Sequence, residues 1–203
     1  MCYTVRYPFY GGVPMADPLI LASSSPRRRE LLTQAGIPFE LFVPQVEEAC
    51  DLPAREAVAE LSRRKALAAA ASRPGRFILA SDTLVAIDGA ALGKPRDPDD
   101  ACRMLRLLSG RTHEVFTGVT VVAPEGTSFT ETDASRVTFD PLTEEEIASY
   151  VATGEPLDKA GAYAVQGIGS LFVRHLDGNY SGVVGLPLYL VRHLLRKAGY
   201  PVL

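Results

Sequence analysis

The chain has 203 residues, 47% hydrophobic and 22% charged, enough for one substantial core or for two lobes sharing a sheet, and too apolar for disorder over most of its length. Its formal net charge of -3 gives no bulk attraction to nucleic acid or to an anionic membrane, so a basic site has to be local. Three cysteines, Cys2, Cys50 and Cys102, without a CxxC pair, exclude a disulfide framework and a structural zinc site and fit a reducing cytoplasm. No apolar run reaches the roughly 20 residues that cross a bilayer, and no signal-peptide pattern is present, so a soluble cytoplasmic protein is expected.

Residues 1–17 are rich in Tyr, Pro and Gly without periodicity and read as a flexible extension, with Met15 an alternative start. From Leu19 onward, strand patterns at 19–22, 39–44, 77–87, 112–123, 128–139, 162–165 and 170–176 alternate with helix patterns at 26–35, 54–71, 98–108, 144–152 and 187–198. Ser25 followed by Pro26 marks the first helix start, Asp97-Pro98 and Gly110 bracket the third helix, and Thr143 with Glu146 forms a capping box for the fourth. The Pro124-Glu125-Gly126 turn between two long strands predicts an antiparallel hairpin. The expected fold is therefore α/β, a mixed sheet with flanking helices.

Chemistry is suggested first by Leu19 to Leu32, where an apolar strand runs into three serines, a proline and Arg27, Arg28 and Arg29 at a helix start. Unpaired amides of a first helical turn, with arginine forks beside them, suit phosphate oxygens; a solvated helix face is the plain alternative. Asp82 interrupts the otherwise apolar run Phe77 to Ile87, so its carboxylate needs a partner or a chemical role. It could bond a neighbouring loop, act as a general base, ligate a metal, or combine the last two. Lys94, beyond an Asp88-Gly89 turn, and Lys65, on the preceding helix, are phosphate-holding candidates or solvent-facing lysines. Glu47-Glu48 offer oxygen ligands for a hard divalent cation beside Asp82. Gly89 to Lys94 is one residue short of a Walker sequence, Gly167-Ile-Gly169 lacks a third glycine, and neither an HExxH nor a GxSxG motif occurs. His113, His175 and His193 are scattered and are expected to be structural or at the surface.

Taken together, SSSPRRRELL at 23–32, VEE at 46–48, SDT at 81–83, GKPRD at 93–97, LSGRTHEVFTG at 108–118, DKAGAYAVQG at 158–167 and VVGLPL at 183–188 resemble the Maf family of nucleoside triphosphate pyrophosphatases. The blocks recur in family order from about Leu19 to the C-terminus. The resemblance implies two lobes around a nucleotide-binding cleft, as in inosine triphosphate pyrophosphatases, within one domain at 18–203. It also implies cleavage of a nucleoside triphosphate to the monophosphate and pyrophosphate with a divalent metal, Mg2+ or Mn2+. On that reading Asp82 accepts a proton from water and, with Glu48, binds the metal, while Ser23, Arg28, Lys65 and Lys94 hold the triphosphate. A homodimer is also suggested by the family.

Arg27, Thr83 and Gln166 match the dTTP/UTP type of the family; the 7-methyl-GTP type is expected to show tryptophan, glutamine and glutamate there. A Gln amide has one donor and one acceptor, complementary to O4 and N3–H of uracil or thymine. Glu47 replaces the aspartate of many relatives. The family name refers to septum formation, so a nucleotide-sensing or division-inhibiting binding module is the competing reading; the full set of Asp82, Glu48, Lys65 and Lys94 favours retained catalysis.

Overall fold

In the computed structural model, which describes residues 17–202, strand β1 (Leu19–Leu21) leads through residues 23–25 into α1 (Pro26–Gln34), followed by β2 (Phe39–Leu41) and the long helix α2 (Ala54–Ser72). The predicted extension lies, apart from Asp17, outside the described residues. The chain continues through β3 (Ile78–Ile87), β4 (Ala90–Leu92), α3 (Pro98–Leu108), β5 (Thr112–Val122), β6 (Ser128–Phe139) and α4 (Glu144–Ala152). Three 3-10 turns at Glu155–Asp158, Ala160–Ala162 and Ile168–Phe172 precede β7 (Val173–Asp177), α5 (Tyr180–Val184) and α6 (Leu188–Lys197).

The seven strands form one mixed sheet in the order β2-β1-β3-β5-β6-β7, with β4 paired to β3. β1 runs parallel to β2 and β3, whereas β5 is antiparallel to both of its neighbours, β3 and β6. Side-chain alternation along the strands assigns the two faces. Leu19, Leu21, Leu79 and Val119 pack with Leu31 and Leu32 of α1 and Leu190 and Leu194 of α6. Ile20, Ile78 and Ala80 point the other way, onto Ala66 and Ala69 of α2. At the far end of the long strands a separate core joins Val85, Val115 and Phe139 to Leu105 of α3 and Ile147 of α4. Two packed lobes therefore share β3 and β5.

The gap between the lobes follows from the pairing of β3. One side of β3 is paired with β5 from Ile78 to Ala86, but the other meets β1 only at Ile78 and Leu79 and β4 only at Val85, Ala86 and Ile87. The intervening stretch, which holds Ser81, Asp82 and Thr83, has no strand beside it on that side. Asp82 continues the face that packs on α2, and Ser81 the opposite face, where its buried Oγ donates to the Gly185 carbonyl at 2.9 Å. Close seating of α2 depends on Gly118, paired with Asp82 on β5: a Cβ there would lie 2.2 Å from the Val58 carbonyl oxygen.

Two expectations need correction. Residues 162–165 are not a strand: Gly161 has φ 69° and Ala162 φ 60°, which end any extended run, and Ala162, Tyr163, Ala164 and Val165 are buried by packing rather than by a ladder. The strand expected at 170–176 begins only at Val173, because Ile168–Phe172 is a 3-10 turn. Ser25 is the residue before α1 as predicted, but its hydroxyl makes no capping bond; its N–H donates to Ser23 Oγ at 3.2 Å instead.

Candidate active site

The gap beside β3 opens into a cleft of about 550 Å³. Every residue to which the family resemblance gives a role lines it: Ser23, Arg27 and Arg28 from the β1–α1 junction, Glu48 from the loop after β2, Lys65 from α2, Asp82 and Thr83 from β3, Lys94 after β4, and Gln166 from the turn after Val165. Glu47, on the same loop as Glu48, is exposed and outside the lining. The cleft presents five cationic side chains, with Lys159 added to Arg27, Arg28, Lys65 and Lys94, against the carboxylates of Glu48, Asp82 and Asp158. A locally positive cleft in a net anionic molecule is the arrangement that attracts a polyphosphate without binding nucleic acid in bulk.

Arg28 is fixed by three acceptors. Its Nε donates to the Gly185 carbonyl at 2.9 Å, Nη1 to Ser23 Oγ at 3.2 Å and Nη2 to Thr83 Oγ1 at 3.2 Å. Thr83 in turn bonds Thr117 Oγ1 at 3.0 Å, and Thr117 donates to the Gly182 carbonyl at 2.8 Å, so the donors run in one direction from Arg28 to α5. Burial pulls the Arg28 pKa below its ordinary value, opposed by the charge of Asp82. Each of those acceptors is neutral, so a bound anion gains the guanidinium charge undiminished by a direct ion pair. Arg27 crosses the cleft to Asp158, Nη1 to Oδ2 at 3.1 Å, and Lys159 also pairs with Asp158 and donates to the Glu155 carbonyl at 2.9 Å.

Lys65 Nζ stands between two carboxylates, 2.6 Å from Asp82 Oδ1 and 2.7 Å from Glu48 Oε1. The Lys65 ammonium holds the Glu48 carboxyl below its usual range, against a smaller opposing effect of burial. Asp82 Oδ2 has no protein partner among the described residues. Two carboxylate oxygens therefore converge on one cationic position. No group of three or more His, Cys, Asp or Glu side chains gathers among the described residues, and two carboxylates completed by phosphate and water oxygens is a donor set that suits Mg2+ or Mn2+. His113 is buried in the far core, with Nε2 2.9 Å from the Tyr163 hydroxyl, while His175 and His193 are exposed; none of the three lines the cleft.

Lys159 and Asp158 join the site without having stood out in the sequence. Their only signal is membership of the 158–167 block, because nothing about an isolated Asp-Lys pair says that it faces a cleft.

A family model described as Maf-like protein matches residues 18–198. The chain belongs to the Maf family. A relative from Nitratidesulfovibrio vulgaris named dTTP/UTP pyrophosphatase is 47% identical over 192 residues, covering 93% of this Maf chain and 91% of its own. Relatives of the same name from Bacillus cereus (strain AH820), 51% identical over 87% of this chain and 93% of theirs, and from Moorella thermoacetica, 50% identical over 91% and 96%, lead to the same group. Among solved structures, the Staphylococcus aureus Ham1 protein superposes with a TM-score of 0.51 over 89% of this chain and 99% of its own, at 13% identity, so the Maf chain shares its fold.

Proposed function

We propose that the cleft hydrolyses nucleoside triphosphates, dTTP and UTP foremost, to the monophosphate and pyrophosphate. The observation that carries this reading is the convergence of Asp82, Glu48 and Lys65 at the unpaired stretch of β3, facing a cleft with an excess of cations, in a chain about half identical to dTTP/UTP pyrophosphatases. Asp82 Oδ2 is free to accept a proton from a water directed at the α-phosphorus. The new P–O bond forms as the bond from the α-phosphorus to the bridging oxygen breaks, and the pyrophosphate leaves with the electron pair. Arg28, Lys65 and Lys94, with Ser23 and the first-turn amides of α1, hold the triphosphate and stabilise the charge that grows on the leaving group. Thr83, Arg27 and Gln166 also line the cleft; on this reading they meet the sugar and base, and the Gln166 amide, which bonds no described residue, is available to pair with O4 and N3–H of a pyrimidine.

A divalent cation held by Glu48 and Asp82 would supply further charge neutralisation at the phosphates. Lys65, which meets both of these carboxylates, would then be available to phosphate oxygens. The reading extends to a reducing cytoplasm, supported by the free thiols of Cys50 and Cys102. A homodimer is supported by the family resemblance, and sedimentation analysis checks it.

The test is pyrophosphate release from a panel of canonical and modified triphosphates with Mg2+ or Mn2+, comparing the parent protein with Asp82→Asn. Turnover of dTTP and UTP that falls by at least about 100-fold in the variant supports the assignment. Tight binding of dTTP without turnover by the folded parent protein would replace it with a nucleotide-binding role.

A further inference from the structure

Gln166 occupies a turn closed by the Gly167 N–H, which donates to the Ala164 carbonyl at 3.2 Å. Among the described residues no cleft-lining side chain hydrogen-bonds this turn; its side-chain bonds come from behind. The Glu155 carboxylate accepts the backbone N–H of Ile168 at 3.1 Å through Oε2 and that of Gly169 at 3.0 Å through Oε1. The Tyr150 hydroxyl donates to the same Oε1 at 2.7 Å and accepts the Ala164 N–H at 3.1 Å. The backbone on both sides of Gln166 is thus tied to one tyrosine–glutamate pair, and neither member of the pair lines the cleft.

The fit is close, and a side chain on the turn would have to displace the pair. A Cβ at position 167 would lie 2.2 Å from Glu155 Oε2, and one at 169 would lie 2.6 Å from the Tyr150 hydroxyl, so glycines stand where the pair touches the turn. Tyr150 is itself anchored, 2% exposed and set edge-on to Phe172 with ring centroids 5.1 Å apart. Burial raises the Glu155 pKa, but the Gly169 amide, the Tyr150 hydroxyl, the Ile168 amide and the charge of Lys159 together outweigh it and hold the carboxyl below its usual value, so the three-donor acceptor is charged at neutral pH. Charged acceptors of this kind make the stronger class of hydrogen bond.

We propose that Tyr150 and Glu155 are positioning residues for base selection, fixing the Gln166 amide against the pyrimidine edge without touching the substrate. The proposal rests on the reading of Gln166 as the group that meets the base. An amide discriminates between hydrogen-bond patterns only while its donor and acceptor are held to within about half an ångström of their partners, and a surface turn does not supply that by itself.

The experiment measures kcat and KM for dTTP and for dGTP in Glu155→Ala, Tyr150→Phe, Gln166→Ala and the Glu155→Ala/Gln166→Ala double variant. The proposal expects the preference for dTTP over dGTP to fall by about tenfold or more in Glu155→Ala, chiefly through a raised KM for dTTP, and by a smaller factor in Tyr150→Phe. It also expects the double variant to be no less selective than Gln166→Ala alone, because both changes disable one device. A purely structural role would lower kcat/KM for both nucleotides in proportion and leave the preference intact, and that result overturns the proposal. Should Glu155→Ala fail to fold, Tyr150→Phe keeps the buried ring and decides alone: an unchanged preference sinks the idea. An unchanged preference in Gln166→Ala overturns the base-reading role of Gln166 itself, and the positioning role with it.

Discussion

Arg28 shows how much of the site depends on single side chains. Its three protein bonds use the planar fork of a guanidinium, and a lysine ammonium in the same place can satisfy no more than part of that set. Arg28→Lys is therefore expected to lower kcat/KM for dTTP by about 10- to 100-fold while retaining the charge, measurable by steady-state pyrophosphate release; a loss under about threefold would mean that the fork is dispensable. At this scale the sequence is highly legible, since Ser23, Arg28, Glu48, Lys65, Asp82 and Gln166 all face one cleft. What it withholds is partnership. Asp82 reads as a carboxylate needing a partner, and only the fold shows that Lys65 provides it while also meeting Glu48. Ser25 carries a side chain suited to capping, yet the bend that brings its N–H to Ser23 Oγ leaves its own hydroxyl without a capping bond.

Elements with chemical punctuation are easy to place. Asp97 before Pro98 caps α3 by accepting the Asp100 N–H at 2.8 Å, and Thr143 with Glu146 completes the capping box of α4. Asp97→Ala should cost about 1 kcal/mol of stability in urea denaturation with turnover little changed, because α3 packs in the far lobe. Short elements escape: β4 has three residues without alternation and α5 has five, too few for periodicity, although the Asp88-Gly89 turn before β4 is legible and both residues have positive φ, 51° and 79°. The false strand at 162–165 has the right apolar composition, but burial in that segment comes from aromatic packing beside Val85, where Gly161 leaves no room for a side chain. Gly118 is the element-scale counterpart. Adding one methyl there presses on the backbone of α2, so Gly118→Ala is expected to lose about 1–3 kcal/mol of stability and, by displacing the helix that carries Lys65, to reduce kcat as well. Unaltered stability and kcat in that variant would show that α2 can shift without consequence.

For the whole molecule, acid sensitivity is set in part by a residue far from the chemistry. His113 is 1% exposed among Phe139 and Tyr163, its Nδ1 has no partner among the described residues, and burial lowers its pKa from 6.5 to about 4. The unfolded chain binds a proton at this histidine below pH 6.5 that the native chain refuses until about pH 4. Its contribution is therefore fully present above 6.5 and is lost as pH falls toward 4, a swing of about 3 kcal/mol. Urea titrations between about pH 7 and about pH 4.5 should show this slope, and His113→Phe should flatten it; an equal slope in the variant would place the sensitivity elsewhere. The sheet order has a consequence in time as well as in space. The β5–β6 hairpin closes across the short turn at 123–127, whereas β1 must wait for α1, β2 and α2 before Ile20 meets Ile78, and late contacts of large sequence separation are slow to form. Refolding followed by pulsed hydrogen exchange should protect residues 112–139 before Leu19–Leu21, so the long hairpin is in place before the β1–α1 junction is seated beside it.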